Sequence, residues 1–244
     1  GRRYWVPLTA ALLLWPPGVW SLGQLTPIWL LGVAAAWRWR RHPWAAGVAL
    51  GVASLPKYLA AVSLAPFLLH RRYRVLIAFV ALWVVAILTL LALRPTIWQD
   101  YWGVNTVESP ATIARLDNGA LLIVAWRASP LAFVLAGLLM VGVATGGLLS
   151  SDDTQIWLAS MWLSVAALPL AWNYSLLPLA PVLLGGLRHP YARFPAALAV
   201  VAGAIPHNAA GRPGAVALCI ALAGISLCSM WAGRRQEAGD SAAY

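Results

Sequence analysis

Acidic side chains are scarce in this sequence: seven Asp and Glu stand against 17 Lys and Arg in 244 residues. Charge of either sign is scarce too. It occupies 10% of positions, where a soluble domain carries it at roughly a quarter. With long uncharged apolar runs recurring along the whole chain, this deficit excludes an ordinary soluble domain. The runs are continuous rather than alternating, which argues against an even-stranded β-barrel. Cysteine is limited to Cys219 and Cys228, both in the last apolar run. They match no metal spacing and no disulfide framework, and read as small packing residues. The histidines, His42, His70, His189 and His207, are scattered and form no ligand set, so no metal site is expected. P-loop, GxGxxG and Ser-centred nucleophile motifs are missing, and no cofactor is implied.

What is present is apolar and aromatic: 61% hydrophobic residues, with 15 Trp, a residue that favours the membrane–water interface. The expected fold is all-α, a polytopic helical bundle of about ten membrane segments in the cell membrane. It forms a single domain over residues 1–233, followed by a cytoplasmic tail, 234–244. The net charge of +10 comes nearly all from arginine. Nucleic-acid binding is not expected, because the basic residues sit in short clusters between apolar runs and not on one soluble face. They read as topology signals with some affinity for anionic membrane lipids.

The clusters are Arg2-Arg3, "RWRRH" (38–42), "HRRYR" (70–74), "RHPYAR" (188–193) and "RR" (234–235). If all lie on the cytoplasmic side, each interval between them crosses the membrane an even number of times. Residues 4–37 make two short spans, 75–93 run outward, and 94–130 form a long outer loop. Residues 131–149 return to the inner loop "SSDDTQ". Residues 156–171 go out, "WNYS" (172–175) turns, and 176–187 come back. Residues 194–206 go out and 215–232 return.

The interval 43–69 is the hard one. As one helix it would reach about 40 Å, ample for a single crossing. That crossing would put the clusters 38–42 and 70–74 on opposite sides. The alternative is a helical hairpin broken near Ser54–Lys57, where Pro56 supplies the break. Each limb is then about 20 Å long, too short for a full span. Its tip is expected in a polar cavity open to the outside, the setting in which irregular backbone is tolerated at depth. Two readings stand for Lys57: a site residue facing that wet cavity, or a side chain that snorkels to the interface from a helix end.

The outer face on this topology collects carboxylates, aromatics and cations, including Arg94, Asp100, Trp102, Glu108, Arg115 and Asp117. Carboxylates serve as general bases, aromatic faces stack on sugars, and cations hold phosphates. A wet loop with an aromatic belt accounts for the same composition.

Four stretches carry a resemblance. "PPGVWSLGQLTPIWLLGVAAAW" resembles the GQ-containing segment of bacterial glycosyltransferase family 87, multi-span enzymes of the GT-C class. "WAAGVALGVASLPKYLAAVSLAPFLLHRRYR" resembles that family's next signature, a Lys before an apolar stretch, Pro and an Arg-rich loop. "DYWGVNTVESPATIARLDNGALLIVAWR" resembles its outer loop, and "LPLAWNYSLLPLAPVLL" its later Trp-plus-polar-turn signature. The resemblance covers most of residues 15–187. It implies a GT-C-like bundle that transfers a hexose, most often mannose, from a polyprenyl-phosphate carrier to a lipid or glycan acceptor at the extracytoplasmic face.

It also implies roles. Lys57, with Tyr58 beside it, would hold the donor phosphate, with Arg115 as a second phosphate residue. Gln24, Trp102, Asn118, Trp172, Asn173 and Tyr174 would line the sugar and acceptor pocket. The leaving group is a phosphate, whose developing charge needs a cation. GT-C enzymes place the catalytic Asp in their first outer loop. The chain begins at Gly1 with no visible signal peptide, so that loop is expected upstream of it, in an N-terminally truncated member. Asp117 is then the candidate base within this sequence. Where many members carry Asp-His after the Trp, this chain has Asn173-Tyr174. Two rival functions remain: a lipid flippase or small-solute transporter, which needs a polar path through to the cytoplasmic side, and a non-catalytic subunit that binds a polyprenyl lipid.

Overall fold

The computed structural model describes residues 26–55, 63–97, 99, 119–150, 152–168, 173–205 and 213–242. These residues form helices and turns, with no strand among them. In chain order the α-helices are α1 (Thr26–Arg38), α2 (Pro43–Ser54), α3 (Ala65–Leu69), α4 (Tyr73–Leu93) and α5 (Leu121–Ala128). Then follow α6 (Pro130–Leu148), α7 (Asp153–Ala166), a 3-10 helix (Asn173–Leu179), α8 (Ala180–Arg188), α9 (Arg193–Ala204) and α10 (Pro213–Ala242).

Local sequence sets several of these starts. Pro43 and Pro130 occupy the first turns of α2 and α6, where the missing N–H costs no helical bond. Ser129 caps α6 by accepting a hydrogen bond from Ala132 N at 3.0 Å. Asp152 caps α7 in the same way, through Thr154 N at 2.8 Å.

Among the described residues three helices are long and apolar enough to cross a membrane: Tyr73–Leu93, Pro130–Gly147 and Pro213–Gly233. Four shorter apolar helices accompany them, within α1, α2, α9 and the 3-10/α8 run. The helical bundle is as expected, and the described residues show three full-length candidates of the about ten segments expected. Residues 156–171, expected as one span, form a helix ending at Ala166, and the return limb 176–187 is split between a 3-10 turn and α8. A 14-residue helix such as α7 reaches about 21 Å, short of a full crossing. The expected loop 94–130 contains α5, whose Leu121 and Ala125 are buried. Helical backbone in α10 runs on through 234–242, expected as a tail.

Packing fixes the helix directions. Gly47 lies against Ala78 and the Val75 carbonyl, and Gly51 against Leu82, so α2 and α4 run parallel. Their turns are tied at one end, where the Arg72 guanidinium donates to the Arg40 carbonyl at 3.0 Å. The tight turn at 39–42, closed by His42 N donating to the Trp39 carbonyl, folds α2 back antiparallel on α1, and Gly32 meets Ala49 and Ala53. On the other side of the molecule Gly119, just before α5, meets Val216, and Gly146 near the end of α6 meets Trp231, so the 119–148 run and α10 advance in the same direction. Helix α10 is the hub, packing on α5, α6, α7, α8, α9 and the 3-10 helix.

The two groups join through α3 on α7 and α1 on the 3-10 helix, and through the stacked rings of Trp37 and Trp157, 4.9 Å apart. His70 meets Asp153 at 2.7 Å, and His189 and Tyr191 close on Gly233. The turns 38–42, 70–74, 150–155 and 188–193 therefore share one end of the bundle. This is the arrangement that charge clustering predicts.

Candidate functional site

Lys57, Tyr58, Gln24, Trp102, Arg115, Asp117, Asn118 and Trp172 lie outside the described residues, and of Asn173 and Tyr174 only the backbone is described. The elements that precede and follow several of them in the chain are described. Lys57, the chain's single lysine, falls between Ser54 and Ser63, and both serines are fully buried.

Ser54 is the last residue of α2. Its hydroxyl donates to the Gly51 carbonyl at 2.8 Å and accepts from Trp83 Nε1 at 2.7 Å. In an apolar setting such a two-bond arrangement holds a helix end firmly, because either group left alone would be costly. Ser63 Oγ lies 3.9 Å from Sδ of Met161. Ser54 is thus attached to α4 and Ser63 to α7. Trp83 stands about 15 Å along α4 from Tyr73, and Met161 about 12 Å along α7 from Asp153. Both attachments lie near mid-height of their helices. Residues 43–54 climb from the arginine-rich end, and 63–69 lead back to His70 at that same end.

The opposite end carries the other elements that hold expected site residues. The 3-10 helix that opens with Asn173 and Tyr174 packs between α1 and α7. Its Leu176, Leu177 and Leu179 are buried and anchor it. Helix α1, which follows Gln24 in the chain, presents Trp29, 1% exposed. Its indole N–H has no hydrogen-bond partner among the described residues, an expensive state for a buried donor. Trp29, Ser63, Trp83 and Met161 were not singled out from the sequence, and Ser54 was named only as one edge of the break in 43–69. The one signal for the serines is their placement, two hydroxyls flanking "LPKYLAAV" in an otherwise apolar stretch. Among the described residues no group of three or more His, Cys, Asp or Glu is placed to hold a metal.

Compared with models of known protein families, with curated proteins and with solved structures, the chain matches none.

Proposed function

We propose that this chain is a multi-pass membrane glycosyltransferase of GT-C-like architecture. It moves a hexose, mannose foremost, from a polyprenyl-phosphate carrier to a lipid or glycan acceptor at the extracytoplasmic face. The observation that carries this reading is the pair of mid-height attachments, Ser54 on Trp83 and Ser63 on Met161, which bracket Lys57. Limbs that run from the arginine-rich end to mid-height make sense in a bundle with a wet cavity at its outer half. A lysine joining two such limbs is well suited to an anionic headgroup, whereas in hydrocarbon it costs about 2.5–3.5 kcal/mol.

On this reading Lys57 neutralises the donor phosphate and stabilises it as it departs, with Arg115 as a second cation and Tyr58 as a hydrogen-bond donor. Gln24, Trp102, Asn118, Trp172, Asn173 and Tyr174 shape the sugar and acceptor pocket, and Asp117 is the base within this sequence.

The test is transfer by the complete protein in proteoliposomes, with a panel of polyprenyl-phosphate hexoses and radiolabelled sugar. Lys57→Ala should lower turnover by about 100-fold or more, and Lys57→Arg by less. Unchanged turnover in Lys57→Ala removes the residue from the site. Movement of the intact lipid across the bilayer without sugar transfer would favour the transporter reading and overturn this one.

A further inference from the structure

The arginines at the turn end of α2 and α4 are more tightly organised than a topology signal requires. Membrane orientation needs basic residues on one side, and it does not need them to converge. Here Arg40, Arg41, Arg71, Arg72, Tyr73 and Arg74 line one groove of about 540 Å³ between the two turns. Two of these arginines build it. Arg40 lies over the Trp37 ring at 4.5 Å and bonds the Trp37 carbonyl at 3.2 Å, while Arg72 bonds the Arg40 carbonyl. Arg71 has a positive φ of 53°, a strained conformation for a non-glycine residue, and it turns the 70–74 run toward 40–43.

The remaining three, Arg41, Arg71 and Arg74, have no carboxylate partner among the described residues, since nearby Asp153 pairs with His70. Guanidinium groups gathered around one groove repel one another, and an anion between them removes that repulsion.

A second, apolar groove of about 660 Å³ runs beside it between α1 and α2. Ile28, Leu31, Trp39, Trp44, Val48 and Val52 line it, all of them substantially exposed. The two grooves share the turn 39–44: Trp39 and Trp44 belong to the apolar one, and Arg40, Arg41 and Pro43 to the basic one. An anionic head beside a chain-length apolar trough, with tryptophans at the junction, matches one kind of molecule. We infer that this face binds an anionic phospholipid, its phosphate held by Arg41, Arg71 and Arg74 and an acyl chain lying along α1 and α2. Arginine suits this task because its planar fork engages phosphate oxygens in pairs. The site lies at the opposite end from the proposed transfer site and does not depend on it.

The experiment uses the complete protein, delipidated in detergent and returned to micelles doped with phosphatidylglycerol or phosphatidylcholine. Bound lipid is counted by native mass spectrometry. Phosphatidylglycerol should be retained and phosphatidylcholine not. Removing Arg41, Arg71 and Arg74 as alanines should lower retention by about fivefold per arginine. The triple change R41K/R71K/R74K keeps the orienting charge, so it guards against a misinserted protein, and should give a smaller loss. Removing Arg234 and Arg235 should leave retention unchanged. Narrowing the apolar groove by Ala45→Phe should weaken long-chain phosphatidylglycerol and spare the dihexanoyl form. Equal retention of both headgroups, or no response to the alanine triple change, overturns the proposal. So does equal stabilisation by inorganic phosphate alone.

Discussion

Helices α4 and α10 make the sharpest contrast in the molecule. The most apolar 18-residue stretch within Tyr73–Leu93 has a mean hydropathy of 3.0, and only 11% of it is buried; that within Pro213–Gly233 reaches 2.1, and 56% is buried. The more apolar helix is the outer one. In water this would be backwards, because apolar side chains leave solvent for the core. Between helices that face hydrocarbon, apolarity does not separate inside from outside, and close steric fit and polar contacts do.

Helix α10 has those features: Gly224 under the Trp162 indole, Trp162 Nε1 donating to the Ile220 carbonyl at 2.7 Å, and Ser226 Oγ donating to the Ala192 carbonyl. Helix α4 offers the bundle one narrow seam, along Gly47 and Gly51 of α2, and turns Val80, Val84, Val85 and Leu88 outward.

The contrast can be broken most directly at Gly224. A Cβ there would meet Trp162 Cζ2 at 2.6 Å. Gly224→Leu should destabilise the protein by about 3 kcal/mol, read from unfolding in mixed micelles, because the fully buried indole cannot retreat. Leu88→Ala on the outer face of α4, 60% exposed, should change stability by no more than about 0.5 kcal/mol. Equal losses from the two would mean that α10 is not the organising helix.

The seam of α4 is tested by Trp83→Phe, which removes the donor to Ser54 and should cost about 1 kcal/mol. It should also raise cysteine labelling at position 55, since the end of α2 loses its tie. A small effect is also expected at the joint between the two halves. His70 and Asp153 are about a third exposed, 34% and 37%, so Asp153→Asn should cost under about 1 kcal/mol, and less in high salt.

Some of this was legible in residues. The single-ended arrangement of 38–42 and 70–74 follows from charge alone, and the stop of α2 at Ser54 follows from Pro56 two residues later. Caps at Ser129 and Asp152 are local, set by residue type, though not named from the sequence. The lengths of the shorter helices were not, because an apolar run such as 156–171 looks the same whether it continues or breaks before a return. Nor could residues 38–42 and 70–74 reveal that their arginines line a common groove. That depends on Arg72 reaching Arg40 and on the backbone turn at Arg71. Of the candidate site, the sequence names Lys57 and its neighbours, and the described residues supply the frame of Ser54, Trp83, Ser63 and Met161.

The sequence by itself determined the class of molecule, an all-helical apolar chain with its basic turns at one end, because composition, charge and proline act locally and need no partner. Only the tertiary structure decided which apolar helix became the centre, where the 43–69 excursion is attached, and that Arg41, Arg71 and Arg74 share a groove. Those outcomes rest on contacts between residues far apart in the chain. Glycine against an indole, or a hydroxyl against a distant tryptophan, leaves no periodic trace in the sequence, and hydropathy does not rank one apolar surface above another.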